Sequence, residues 1–239
     1  MRRSQCMLAV VVLSIASAET GAHGPYTTRF PRAENPISEG GAWISARAAT
    51  LDFADVRTEP GFAYGDESGK IKYDDATAVL AGNWGPNQTA EATVRTVNQS
   101  ETVWEEVELR LRSAFAPHKA TGYEINFRCL KTRNAYCEIV RWDGPLGKFT
   151  YLKHADGAQY GVANGDVIKA TIVGNVITAY VNGVQKIQAT DNTFTDGAPG
   201  IGFYLEGATG VNRDYGFTSF TATDGSRTVS GLPGTASGY

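Results

Sequence analysis

From Glu101 to Asp143 apolar and polar residues alternate in three runs, WEEVELRLRSAF, GYEINFRC and AYCEIVRW. A period of two sends one set of side chains into a core and the other onto the opposite sheet face. In the first run Val107, Leu109 and Leu111 are expected inside, with Trp104, Glu106, Glu108, Arg110 and Arg112 opposite. The second run sends Tyr123, Ile125 and Phe127 inward and Glu124, Asn126 and Arg128 outward. The third places Cys137 and Ile139 inside, opposite Tyr136, Glu138 and Trp142. As neighbouring strands, the three would share one strip of carboxylates, guanidiniums, amides and rings. Such a strip suits sugars, whose C–H faces stack on rings while planar polar groups reach their hydroxyls. The plain alternative is a row of alternating charges on a solvated sheet.

The rest of the chain continues in short β runs. Residues 19–50 read as an irregular lead-in with a first strand, and one or two short strands are expected around Leu51 and Phe62. A loop at GNWGPN, which carries Trp84, precedes a strand with Ala92, Val94 and Val97 as core candidates. DGPLG separates EIVRW from KFTYLK, and Gly-Asn and Asn-Gly punctuate DVIKATIVGNVITAYVNGVQKIQATD. Gly and Asn tolerate the positive φ that tight hairpins require. Two further strands follow, in TDGAPGIGFYLEG and NRDYGFTSFTAT. Many short strands without a sustained helical period predict an all-β, two-sheet antiparallel sandwich or a barrel spanning residues 51–223 together with the lead-in, and a disordered tail at 224–239.

The first residues have the order of a secretory leader: Arg2 and Arg3, an apolar segment from Met7 to Ala16, and a small-residue site at Ala16-Ser17-Ala18. Cleavage after residue 18 removes two arginines and no acid, moving the formal charge from −3 to −5. A secreted or periplasmic, mildly acidic product has no electrostatic reason to bind nucleic acid or anionic membranes. With 42% hydrophobic and 20% charged residues the composition is that of an ordinary globular protein. No CxxC pair, phosphate loop, Ser-His-Asp elbow or HExxH is present, which leaves zinc hydrolysis, nucleotide chemistry and serine-hydrolase chemistry without support.

Cys129 and Cys137 flank LKTRNAY. A hairpin symmetric about Arg133 would set the sulfurs opposite each other, Glu138 across from Arg128 and Glu124 across from Trp142. In an oxidising compartment that register permits a disulfide; the alternative is two buried reduced thiols.

Together, ENPISEGGAW, GYEINFR, YCEIVRW, GDVIKATIVGNVITAYVNGV, PGIGFY and DYGFTSFTA resemble the concanavalin A-like lectin/glucanase jelly roll, laminin G-like in character, over about residues 27–223. The resemblance implies two six- or seven-stranded sheets with a glycan groove on the concave one. It also implies a structural calcium ion near the last strand and the lead-in, for which Asp214 is the first candidate and Glu39, with the backbone around Gly40, the second. The alternative for Asp214 is a carboxylate capping a turn at a strand start.

The partner so expected is a polysaccharide or glycoconjugate, with Trp142, Tyr136, Glu124, Asn126, Arg128, Glu138, Arg110, Trp104 and Trp84 as binding residues. An enzyme on the same face is the rival. Glu106 and Glu108 project together at roughly 7 Å, and Glu138 and Tyr136 are further acid or base candidates. The glucanase branch carries E-x-D-x-E on one strand, whereas this face reads Glu106, Glu108, Arg110, with no Asp. VELRLR is similar to the arginine strand of alginate lyases, in which Arg110, Arg112, Arg128 and Asn126 would neutralise a uronate and Tyr136 would move the proton; the other two lyase signatures are missing. A surface or assembly protein making only protein contacts is the third possibility.

Overall fold

The computed structural model describes residues 25–207 and 209–225. The expected leader, the first part of the lead-in and all of the expected tail except Asp224 and Gly225 lie outside the described residues. The described residues form fifteen strands. β1 (Tyr26–Thr28), β2 (Trp43–Ser45), β3 (Val56–Glu59), β4 (Phe62–Gly65) and β5 (Ala76–Leu80) open the domain. The alternating runs form β7 (Trp104–Ala116), β8 (Lys119–Arg128) and β9 (Tyr136–Gly144), preceded by β6 (Gln88–Thr96) and followed by β10 (Phe149–Asp156). β11 (Val167–Val173), β12 (Val176–Val181) and β13 (Val184–Thr190) make the expected hairpins, and β14 (Ala198–Glu206) and β15 (Tyr215–Thr223) close the chain. Asn182 and Gly183, at φ 51° and 76°, form the β12–β13 turn that their sequence predicts.

The strands build two antiparallel sheets, one ordered β13-β12-β11-β6-β15-β4-β3 with β1 added on β15, the other β10-β9-β8-β7-β14-β5-β2. Of the sandwich and the barrel that the periodicity allows, this is the sandwich, and its jelly-roll class is the one the resemblance implies. Val107, Leu109, Tyr123, Ile125, Phe127 and Ile139 of the second sheet pack against Ala92, Val94, Ile168, Ile177, Phe217 and Phe220 of the first. Val97, expected in that core, lies beyond β6 and is exposed. The lead-in is more regular than its composition indicates, since β1 and β2 each join a sheet and Phe30 and Ile37 are buried. Leu51 belongs to no strand. With Ala46 and Phe53 it lies across one end of the second sheet, against Ala120, Val140 and Trp142. Among the described residues no helix is long and apolar enough to cross a membrane.

Two expectations are corrected by local register. Alternation along β7 breaks at Arg112, whose φ of 47° coincides with a shift in pairing between Leu111 and Ala114. A bulge of this kind turns the strand over. The Arg112 guanidinium therefore leaves the expected strip and donates to the carbonyls of Pro86 (2.7 Å), Phe194 (2.9 Å) and Gly174 (2.6 Å), the last in the turn between β11 and β12. Replacing it with Met strands these carbonyls and is expected to lower the unfolding free energy by about 1.5–3 kcal/mol, checked by urea denaturation.

The β8–β9 hairpin is shifted by two residues from symmetry about Arg133. Phe127 faces Cys137 and Asn126 faces Glu138, while Glu124 faces Val140 and Gly122 faces Trp142. Cys129 is therefore not opposite Cys137, and the expected disulfide gives way to two free, buried thiols.

Candidate functional site

The outward residues of β7, β8 and β9 do converge. Glu106, Glu124, Asn126, Tyr136 and Glu138 line one pocket of about 270 Å3 on the sheet that holds β7, β8 and β9. The strip is not solvated: Glu106 and Glu138 are 7% and 8% exposed, and Glu108 is fully enclosed. Burying so many charged groups is costly unless they are paired.

Arg110 supplies the pairing below the pocket. Its Nη2 donates to Asp75 Oδ2 at 3.1 Å and Glu108 Oε2 at 2.6 Å, and its Nη1 lies 2.9 Å from Glu124 Oε2. Oxygens of these three carboxylates fall within 4.8 Å of one another, a spacing that also suits a metal ion. The cation among them here is the guanidinium. Gly202 of β14 leaves room for this cluster, since a Cβ there would stand 2.1 Å from Glu108 Oε2. One guanidinium does not balance three carboxylates. Burial, reinforced by the charge of Glu124, pushes Asp75 up to about 8. Burial and the charge of Asp75 likewise hold Glu108 well above the usual carboxylate range.

Glu124 also accepts from Trp142 Nε1 at 2.5 Å and from Asn126 Nδ2 at 3.0 Å. The same amide nitrogen donates to Glu138 Oε2 at 3.1 Å, so the Glu124 and Glu138 oxygens are at most about 6 Å apart. Glu138 takes a second bond, 2.6 Å, from His154 Nδ1 on β10. Burial opposes the charge on His154, but its bonds to Glu138 and Asp156 raise its pKa overall. Glu106 accepts from the Tyr136 hydroxyl. Burial, with Glu138 nearby, holds Glu106 well above the ordinary range.

The expected site residues divide accordingly. Tyr136 and Trp104 reach the pocket, with the Arg128 guanidinium 5.0 Å from the Trp104 ring centroid. Trp142 lines it too but is no open platform, because Phe53 and Phe149 cover it at 5.0 and 5.2 Å between ring centroids. Arg110 lies beneath the floor, and Arg128 turns away to the carbonyls of Asn134, Ser100, Glu101 and Val103. Trp84 is elsewhere, donating to the Ala81 carbonyl beside a different cleft. Sequence reasoning missed Asp75, Tyr73, Tyr151, Tyr204 and Glu206, which complete the pocket. Alternation in PGIGFYLEG held a signal for two of them, since Tyr204 and Glu206 share a face with Gly200 and Gly202.

The two alternative calcium candidates lie in separate places. Glu39 accepts from Tyr26, Thr28 and Trp43, next to the end of β15 where Thr28 pairs with Phe220. Asp214 immediately precedes the start of β15 and accepts from Asn98 Nδ2 at 2.6 Å. Their backbone neighbourhoods on β15 are roughly 20 Å apart at strand rise.

No protein-family model and no curated relative matches the sequence. Solved structures do match in fold. The carbohydrate-binding module CBM66 from Bacillus subtilis superposes with a TM-score of 0.50 at 13% identity, over 80% of this chain and 97% of that one. A Bacillus licheniformis β-glucanase gives 0.51 at 13% identity, over 84% and 98%. A GlcNAcα1-4Gal-releasing endo-β-galactosidase from Clostridium perfringens gives 0.51 at 8%, over 87% and 65%. Fold and site together define the class: a jelly-roll sandwich of the concanavalin A-like fold with an acidic pocket on one of its two sheets.

Proposed function

We propose that the protein is an exported glycan-binding module whose concave pocket receives a sugar unit of a polysaccharide or glycoconjugate. The observation that carries this is the arrangement of exposed rings over a polar floor. Trp104, Tyr73 and Tyr151 are 40%, 41% and 56% exposed at the pocket, above the buried Glu106, Asn126 and Glu138. Rings with free faces stack on sugars, and the floor meets their hydroxyls. Support also comes from the fold, which carries a carbohydrate-binding module and glycan-cleaving enzymes among its structural neighbours. Uronate recognition by arginine has less support, because Arg110, Arg112 and Arg128 are all held in internal bonds.

Cleavage of the bound glycan is a second reading, favoured by one observation. Glu106, bonded to a phenol and inclined to keep its proton, shares a pocket with Glu138, bonded to an imidazole. Two carboxyls in unlike surroundings can divide acid and base work. Retention on immobilised glycans, with reducing ends assayed in parallel, tests both readings. Binding without product supports the module, and new reducing ends support the enzyme. Trp104→Ala is expected to weaken retention about tenfold or more; unchanged retention would remove the ring from the site.

A further inference from the structure

The hydrogen-bond capacity of the pocket floor is one-sided. The floor's donors are already used: Trp142 Nε1 on Glu124, Asn126 Nδ2 on Glu124 and Glu138, Tyr136 on Glu106 and Tyr204 on Glu206. The exposed rim adds the indole N–H of Trp104 and the phenols of Tyr73 and Tyr151, but on the floor what remains is accepting. Asn126 is 3% exposed, lines the pocket, and its Oδ1 has no hydrogen-bond partner. A buried acceptor without a donor is costly and calls for one.

Charge points the same way. Asp75, Glu106, Glu124, Glu138 and Glu206 line the pocket, and no Lys, Arg or His does. The cations nearby are engaged from outside it, Arg110 from below, Lys72 on Glu206 at 2.9 Å and His154 on Glu138. Glu106 has only the neutral Tyr136 phenol, so it keeps its proton when no cation is near and becomes a counter-charge when a cation beside it offsets the burial that raises its pKa. A ligand that brings both donors and positive charge satisfies the floor, whereas a carboxylated or sulfated sugar meets repulsion.

We infer that the pocket selects a glycan unit carrying a free amine, a hexosamine in its cationic form, held by Glu106 and Glu138 with the Asn126 amide between them. This rests on the glycan-binding reading above.

Calorimetric titration of the full chain tests it, using a glucosamine oligomer, its N-acetylated counterpart and a cello-oligosaccharide of equal length, at a pH where the amine is charged. The amine oligomer is expected to bind about tenfold or more tightly than either neutral one, the difference between a charge-assisted and a neutral hydrogen bond. Added salt should weaken the amine oligomer selectively, and Glu106→Gln should reduce the affinity ratio. Neutral oligomers binding as tightly as the amine would overturn the inference and leave the glycan-binding reading standing. Failure of all three to bind would overturn both. Should Glu106→Gln not fold, the salt dependence of the unaltered protein decides: equal salt sensitivity of all three oligomers rejects the amine preference.

Discussion

Replacing Arg110 with Met is expected to lower the unfolding free energy by about 3–5 kcal/mol near neutral pH, the cost of removing one partner from a buried ion cluster. The size follows from what is left behind. Arg110 is 2% exposed and is shared by Asp75, Glu108 and Glu124, each 4% exposed or less. Without the guanidinium these carboxylates stay in the interior with no common counter-charge. The loss should shrink in mild acid, where protons neutralise the stranded groups. Urea denaturation at about pH 5 and pH 7 measures both effects. A loss below about 1 kcal/mol would be that of an exposed ion pair and would contradict the buried hub. Arg110→Lys should recover only part of the stability, because a point charge cannot serve three oxygens in the fixed geometry of the guanidinium fork.

The unaltered protein should itself be more stable in mild acid than at neutrality. Asp75 is pushed up to about 8 by burial and by Glu124, and burial also holds Glu67, Glu106 and Glu108 well above the ordinary carboxylate range. A carboxyl whose folded pKa exceeds its unfolded one binds more protons when folded. Its stabilisation is complete below the unfolded pKa and is lost as pH rises toward the folded one, at about 1.4 kcal/mol per pH unit per proton. For Asp75 that window runs from 3.8 to about 8. His154, whose pKa is raised by Glu138 and Asp156, adds a loss of the same sign. Asp191 acts oppositely: despite burial, bonds from Tyr123 and Thr193 bring it down to about 2, so its stabilisation fades only in strong acid. Between about pH 5 and 7 the carboxyls prevail, and a fall of at least about 2 kcal/mol is expected in denaturation series. Stability that is flat or rising across that interval would show that these groups are solvated.

The fold was legible because its code is local. Period-two alternation in WEEVELRLR, GYEINFR and YCEIVRW assigned Val107, Ile125 and Ile139 to the core, and Gly-Asn and Asn-Gly located two hairpins. The strip of Glu106, Glu124, Asn126, Tyr136 and Glu138 followed from the same rhythm. Its burial did not. That depends on what lies over the strip, and neither Phe53 against Trp142 nor Asp75 beside Arg110 is related to the three strands by any short-range pattern. Arg112 shows the other limit: one residue at positive φ reverses every later assignment along a strand, and nothing in RLRSAF announces it.

The two-residue offset in the β8–β9 hairpin also bears on handling. With Cys137 set against Phe127 and Cys129 past the paired region, the described residues are held together without a covalent crosslink. Reductant has nothing there to cleave. The urea unfolding midpoint is therefore expected to be the same with and without dithiothreitol, so that cohesion does not depend on the redox state of the medium.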